Sequence, residues 1–149
     1  MHWARGDPVD WVEIAYWLQK RGLAEQGAND NSVPWLDPIW FPEVENDASF
    51  NIFTFTFRGC EGRCSQFMQD EWYLDVEAGV DQADTLEDVD GSRVIMIGAS
   101  IGADGVEIGC AYLNEVDPGV CLGAVSFSLG NYLMHDYEEI VQKLDPIPA

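Results

Sequence analysis

Residues Gly98–Gly102 constrain the fold of this 149-residue chain more than any other segment, because they read Gly-Ala-Ser-Ile-Gly. An apolar, β-branched run that ends at Ile97 precedes them and is typical of a buried strand. The residues that follow are compatible with a helix, although Gly105 and Gly109 weaken the helix propensity. Such a tight turn between strand and helix needs glycines where the two backbones come close. The pattern therefore predicts a strand–turn–helix unit that holds the Ser100 hydroxyl clear of the sheet.

Length and composition predict one domain over residues 1–149, since a chain of this size buries a sizeable core. Apolar residues make up 47% of the sequence and include six tryptophans, which favours a folded chain over a disordered one. Residues 23–49 lose the regular pattern and contain three prolines, which predicts a long irregular insertion loop. Its aromatic residues Trp35, Trp40 and Phe41 either pin the loop to the surface or form an apolar lid. The third alternative is that the loop replaces a strand and leaves a gap in the sheet.

The charge balance is strongly acidic, with 27 Asp and Glu against seven Lys and Arg and a formal net charge of -20. Seven scattered cations cannot neutralise a row of phosphates, which argues against nucleic acid as a partner and against docking on an anionic membrane. A solvated, self-repelling surface explains the charge best. A calcium site and a mimic of nucleic acid are the alternatives.

No apolar run approaches the roughly 18 residues of a membrane span. The N-terminus lacks the pattern of a secretory signal. The sequence is compatible with a cytoplasmic or an exported protein.

The four cysteines fall into two pairs, Cys60 with Cys64 and Cys110 with Cys121. In an exported protein the first pair would close a small loop, and the second would join a helix to the next strand. In a cytosolic protein they would be free thiols. Zinc is not expected, because neither histidine lies near a cysteine pair in sequence. We expect no metal and no cofactor.

Hydrophobic periodicity predicts four helices that alternate with three strands. A first helix is capped by Asp7, and a second runs from about Asp70 to Leu86 with an exposed acidic face that we interpret as solvated. The acidic face comprises Asp75, Glu77, Asp81 and Asp84. Besides the unit around Ser100, the sequence predicts strands over Phe50–Phe57 and Val120–Phe127 and a last helix over 137–144. Alternation of this kind indicates the α/β class, with a mostly parallel sheet in a three-layer sandwich.

The order of elements and three motifs resemble the α/β-hydrolase superfamily, especially its dienelactone-hydrolase-like and small serine esterase branch. The segment around Ser100 resembles the nucleophile elbow of that family. Residues 55–62 resemble a strand that ends in a Phe-x-x-Arg-Gly turn, with Thr56 where many relatives carry aspartate. Arg93-Val94 resembles the usual entry to the nucleophile strand. His2-Trp3 stands where these proteins have the loop that donates an oxyanion N–H, and the resemblance extends from Met1 to about Leu144.

The resemblance implies hydrolysis of a small-molecule ester or lactone, with Ser100 as nucleophile and no cofactor. The Ile101 backbone N–H would be one oxyanion donor, and the backbone around Trp3 would supply the other. In the family an acid and then a histidine follow the serine, so the chain resembles a partial domain without that C-terminal acid and histidine. His135 is the only histidine after Ser100, and we interpret it as a surface residue rather than the base.

Two classes of function therefore remain open at the level of sequence. The first is a serine hydrolase whose missing residues are supplied elsewhere. The alternative is a catalytically inactive, hydrolase-derived module for binding or structure. In either case a partial sheet would have open edges, and self-association into a homo-oligomer is one way to cover them.

Overall fold

The structure is a computed structural model, and it describes residues 1–20, 44, 50–61 and 64–144. The elements in chain order are a 3₁₀ turn at Pro8–Trp11, α1 at Val12–Leu18, α2 at Trp72–Asp84, β1 at Val94–Ala99, α3 at Ile101–Val116, β2 at Cys121–Phe127 and α4 at Tyr137–Leu144. The chain divides into two compact units, one formed by Met1–Pro8 with Thr54–Ala149 and the other by Val9–Phe53. The predicted insertion loop, residues 23–49, lies outside the described residues apart from Val44, so the single-domain interpretation stays a prediction.

Strands β1 and β2 form a two-stranded parallel sheet, and α3 is the crossover between them. The register runs from Val94 opposite Cys121 to Ala99 opposite Phe127, with one irregularity after Val94. A parallel pair joined through a helix is the arrangement that the sequence pattern predicts. These elements indicate a mixed α/β class. The bounds of α4 and both strands match the sequence prediction closely, because each element carries its own periodic pattern.

Helix α3 occupies the centre of the first unit and packs against α2, α4 and both strands. Gly105 and Gly109 do not interrupt it. A Cβ at Gly105 would lie 3.1 Å from the Val76 side chain of α2, and one at Gly109 would lie 2.8 Å from the Met96 sulfur of β1. The two glycines therefore reduce helix propensity but allow α2 and β1 to approach the helix closely.

The strand predicted over Phe50–Phe57 is wrong, because these residues form no strand in the structure. At the end of the segment, the N–H groups of Phe57 and Arg58 donate to the side chains of His2 and Asp75, at 3.3 and 2.8 Å, rather than to a neighbouring strand. The aromatic alternation reflects packing instead. The Phe55 ring lies 2.9 Å from a Cβ built at Gly79 of α2, and Phe57 is buried.

Arg58 links the turn after Phe57 to α2. The acidic face of α2 is therefore not solvated throughout, because its residue Asp75 is paired with Arg58. Its Nε and Nη1 lie 2.7 and 2.6 Å from the carboxylate oxygens of Asp75 and Glu71. The hydrogen bond that the guanidinium donates to Asp75, and then the one it donates to Glu71, raise the pKa of Arg58 above its ordinary value. The indole N–H of Trp72 also donates to the Arg58 carbonyl at 2.9 Å. Periodicity along α2 cannot reveal a partner 13 or 17 residues earlier in the chain.

Both cysteine pairs considered from the sequence are disulfides in the structure. Cys110–Cys121 joins α3 to the start of β2, and both residues are buried. The side-chain oxygen Oδ1 of Asn114 accepts hydrogen bonds from the N–H groups of Gly119 and Cys121 in the same connection, each at 3.2 Å. Cys60–Cys64 closes the turn that follows Arg58. None of the described helices is both long enough and apolar enough to cross a bilayer.

We expect limiting dithiothreitol to reduce Cys60–Cys64 before Cys110–Cys121 under native conditions. Cys64 is partly exposed, whereas a thiolate reaches the second pair only after a local opening of the core. Alkylation with iodoacetamide at increasing times, followed by peptide mass spectrometry, measures the order. Alkylation of Cys110 or Cys121 first, while the protein is still folded, would contradict the placement of this pair in the core.

Candidate active site around Ser100

Ser100 joins β1 to α3 in a backbone conformation that side chains rarely adopt, with φ 55° and ψ −118°. A non-glycine residue in such a region costs free energy and persists only where its surroundings hold it. The Ser100 N–H donates to the Phe127 carbonyl of β2 at 2.8 Å. Its carbonyl accepts the N–H groups of Ala103 and Asp104 at 2.9 and 3.3 Å. The sheet and the helix thus fix the backbone of this serine from both sides.

The Ser100 hydroxyl does not cap the helix that it precedes. Serine is a preferred N-cap residue because its hydroxyl ordinarily accepts a hydrogen bond from an N–H group in the first turn. Here Ser100 is the N-cap residue of α3, yet no such bond forms, and the residue is partly exposed. Its hydroxyl is therefore not used in forming the helix.

The glycines on either side of Ser100 are required by space. A Cβ at Gly98 would lie 2.0 Å from the Gly102 carbonyl oxygen and 2.8 Å from the Val106 side chain. A Cβ at Gly102 would lie 2.5 and 2.7 Å from the carbonyl oxygens of Met1 and His2. These separations are far below van der Waals contact, so only glycine fits at either position. The strand–turn–helix unit predicted from the sequence is confirmed.

The N-terminal segment runs beside this turn. The Met1 amino group donates to the Ile97 carbonyl, and the Met1 carbonyl accepts the Ala99 N–H at 3.3 Å. This is the hydrogen-bond pattern of a parallel strand pair, with Met1 opposite Gly98. The Trp3 carbonyl is already engaged, because it accepts the Gly6 N–H at 2.9 Å. The structure thus brings residues 1–3 next to the turn, and an oxyanion role for the Trp3 backbone stays a prediction.

His2 is a buried structural residue. Its Nε2 accepts the Phe57 N–H at 3.3 Å and its Nδ1 donates to the Trp3 carbonyl at 2.8 Å. Its ring also meets the Phe57 ring edge-on, with centroids 5.3 Å apart. A general base needs a ring nitrogen that faces the serine hydroxyl, and both nitrogens of His2 face backbone groups instead.

His135 lies along the flank of α3 rather than at its N-terminus. Its ring packs edge-on against Tyr73 at a centroid distance of 5.0 Å. It lines an open groove of about 330 Å³ together with Ile108 and Ala111 of α3. Those residues follow Ser100 by eight or more positions, which is ~12 Å along a helix that rises ~1.5 Å per residue. The imidazole Nε2 is buried without a hydrogen-bond partner among the described residues. No hydrogen bond joins this histidine to Ser100 within the described part of the chain.

Asp104 is a buried carboxylate that the sequence analysis missed. It lies in the first turn of α3, and its side chain accepts four hydrogen bonds from the segment after β2. The donors are the N–H groups of Gly130 and Leu133, each at 3.1 Å, the N–H of Tyr132, and the Tyr137 hydroxyl at 2.6 Å. Three backbone donors and a hydroxyl satisfy a charge that would otherwise be costly to bury.

Helical spacing contains a signal for Asp104. The residue lies three positions after Ile101 and four before Ile108, on the buried face of α3. An aspartate on that face must have partners, whereas an aspartate in a first helical turn is usually explained by the helix dipole alone. Burial is the main reason why the pKa of the Tyr137 phenol lies well above its ordinary value, and the hydrogen bond to Asp104 raises that pKa further.

The segment between β2 and α4, residues 128–136, passes along the same edge of the sheet as Ser100. Three of its non-glycine residues, Ser128, Asn131 and Met134, have φ between 54° and 60°. Such conformations persist only where neighbouring groups hold them, and Asp104 accepts hydrogen bonds from residues that adjoin Asn131 and Met134. We call this segment the 128–136 loop.

No group of three His, Cys, Asp or Glu residues is placed to hold a metal ion within the described ranges. No protein-family model, curated protein or solved structure matches the sequence. The candidate site therefore rests on its own geometry.

Gly98→Ala should lower the free energy of unfolding by about 3 kcal/mol or more, because the new methyl group would overlap the Gly102 carbonyl. Gly123→Ala is the matched control, since a Cβ there meets only the Ile95 side chain, at 4.0 Å. We expect this control to change stability by less than ~1 kcal/mol. Urea unfolding of both variants tests the prediction. Equal stabilities would contradict the close approach at the turn.

Asp104→Asn should cost about 3 kcal/mol, because a neutral amide replaces a buried carboxylate that satisfies four donors. Tyr137→Phe removes one of the four donors and should cost about 1 kcal/mol. Hydrogen exchange should accelerate at the amides of Tyr132 and Leu133 in the first variant. Unchanged protection at these amides would mean that Asp104 does not hold the 128–136 loop.

Proposed function

We propose that the chain is a serine-hydrolase-like domain that cleaves carboxylic esters or lactones through Ser100. The supporting observation is the backbone of Ser100, which is held in a strained conformation between a strand and a helix with its hydroxyl unused by the helix. The proposal includes a partial α/β-hydrolase fold, in which β1 and β2 belong to the middle layer of a three-layer sandwich. The parallel pairing and the helical crossover support that assignment.

In the proposed reaction the Ser100 oxygen attacks the ester carbonyl carbon, and the hydroxyl proton passes to a general base other than His2 and His135, whose rings face other groups. The carbonyl oxygen gains negative charge as the new bond forms. Ile101 opens α3, and N–H groups in a first helical turn have no acceptor within the helix, so its N–H is one proposed oxyanion donor. The Trp3 backbone is the other. The alcohol then leaves with the proton that this base took up. Water, losing a proton to the same base, cleaves the acyl-enzyme, which releases the acid and restores the Ser100 hydroxyl.

A second candidate function is favoured by the placement of the histidines. The sequence contains only His2 and His135. Both ring nitrogens of His2 face backbone groups, and His135 lies beside Tyr73 along the flank of α3. The proposed nucleophile is thus without a histidine as its base in this chain. A catalytically inactive, hydrolase-derived binding or structural module fits this observation.

A fluorophosphonate probe separates the two functions, because it labels only an activated serine. We expect labelling of the wild-type chain and of Ser92→Ala, a control at the turn before β1, and no labelling of Ser100→Ala. Circular dichroism must first establish that all three proteins are folded. Labelling together with hydrolysis of p-nitrophenyl acetate supports the hydrolase. Absence of labelling in the folded wild type overturns it, and labelling without turnover favours the inactive module.

A further inference from the structure

An open groove of about 330 Å³ runs along the flank of α3 and is bordered by residues of α2 and α4. Its apolar lining consists of Ile108 and Ala111 of α3 and Ile140 of α4. Sites that bind small organic molecules typically have volumes of ~300–1,000 Å³, an apolar lining and a few polar groups. The groove therefore has the size and the lining of a site for a small molecule.

Two tyrosines line the groove, and a neighbouring residue holds each of them. Tyr73 of α2 meets the His135 ring edge-on at a centroid distance of 5.0 Å. The Tyr112 hydroxyl of α3 donates to the Asp81 carboxylate at 3.0 Å. This hydrogen bond raises the pKa of the Tyr112 phenol, and desolvation and the charges of Asp81 and Glu77 raise it further. Aromatic rings beside carboxylates attract organic cations, because the faces of the rings are electron-rich.

The charged lining is mostly acidic, with four carboxylates and one ammonium group, namely Glu77, Glu115, Asp136, Glu139 and Lys143. The Lys143 Nζ lies 2.7 and 3.2 Å from the carboxylate oxygens of Glu115 and Glu139, so two carboxylates share its charge. Carboxylates alone indicate only a solvated surface. These border an apolar groove, which favours a ligand that has both an apolar body and a positive charge.

Glu77 is the lining carboxylate that is best placed to receive the charge of a ligand. No Lys or Arg in the described part of the chain pairs with Glu77 or Asp136. Asp136 is engaged at the start of α4, where its Oδ1 accepts the N–H groups of Glu138 and Glu139 at 3.0 and 3.4 Å. Glu77 thus has neither a cation nor a helix N-terminus as its partner among the described residues.

We propose that the groove binds a small organic amine with an apolar, ring-bearing body, whose ammonium group pairs with Glu77. The body lies against Ile108 and Ala111, and this contact keeps the ammonium group beside a carboxylate that water would otherwise separate from it. The inference goes beyond the proposed hydrolysis and does not depend on it, because the part of α3 that lines the groove begins eight residues after Ser100.

Tryptamine, tryptophol and indole-3-propionate test the proposal, because they share an indole ring and a two-carbon linker and end in an ammonium, a hydroxyl and a carboxylate group. We expect tryptamine to bind about tenfold more tightly than tryptophol, since a hydrogen bond between charged groups is stronger than one with a neutral partner. Indole-3-propionate should not bind. NMR titration of ¹⁵N-labelled protein at physiological ionic strength, which screens long-range attraction, measures the affinities. The amides of Glu77, Tyr112 and Glu139 should shift together.

Glu77→Gln should weaken tryptamine binding about fivefold or more and leave tryptophol binding unchanged, because only the ammonium group uses the charge. Glu138→Gln is the matched control, since it removes the same charge from α4 at a residue that does not line the groove. We expect it to change the affinity by less than about twofold. Lys143→Gln should strengthen tryptamine binding about two- to threefold, because Glu115 and Glu139 lose their cation.

Several results would overturn the proposal. Equal affinities for tryptamine and tryptophol, equal losses in Glu77→Gln and Glu138→Gln, or weaker binding in Lys143→Gln would contradict the pairing with Glu77. Putrescine, a diamine without a ring, should bind more weakly, and equal affinity would mean general attraction to the acidic surface. Groove amides that shift with protein concentration before any amine is added would assign the groove to a second copy of the chain. Ser100→Ala should bind tryptamine as the wild type does, so failure of fluorophosphonate labelling removes the hydrolase and leaves this site intact.

Discussion

The close approach of three backbone segments at the Ser100 turn is the constraint on which the first unit depends. The carbonyl oxygens of Gly102, Met1 and His2 occupy the space that side chains at positions 98 and 102 would need. This contact fixes the angle at which α3 leaves β1, and α3 in turn packs against both strands and two helices. Backbone atoms already at van der Waals distance cannot move aside to accommodate a new atom, as a flexible side chain can. The position of the serine is thus set by the same contact that sets the position of the central helix.

Asp104 extends that constraint from the turn to the chain that follows β2. Its carboxylate accepts hydrogen bonds from three backbone N–H groups of the 128–136 loop, which contains several left-handed residues, and from the Tyr137 hydroxyl at the start of α4. The free energy gained from a fully satisfied buried carboxylate offsets the backbone strain around it. One turn of α3 therefore organises both the candidate nucleophile and the 128–136 loop.

Local patterns in the sequence predicted the elements that carry their own periodicity, and failed where the cause lies elsewhere in the chain. The spacing of Tyr137, Ile140 and Leu144 is sufficient to define α4, and two glycines identify the serine turn. Aromatic alternation over Phe50–Phe57 did not predict its structure, because a strand also needs a neighbouring strand and the Phe57 N–H bonds to His2 instead. The partnership of Asp75 with Arg58, and that of Asp104 with Tyr137, joins residues 17 and 33 positions apart, which no short-range pattern contains.

The disulfide between Cys110 and Cys121 has a consequence for how the chain finds its fold. The disulfide also links Cys110 to Cys121 when the chain is unfolded. The connection between the second half of α3 and the start of β2 therefore remains a closed loop even where the rest of the chain is extended. Pairing β2 with β1 is a non-local event, and such events ordinarily slow folding because a long loop must close first. With the oxidised link in place, growth of α3 from the serine turn already carries β2 toward its partner. The oxidised chain therefore has a shorter effective connection to close between β1 and β2 than the reduced chain has.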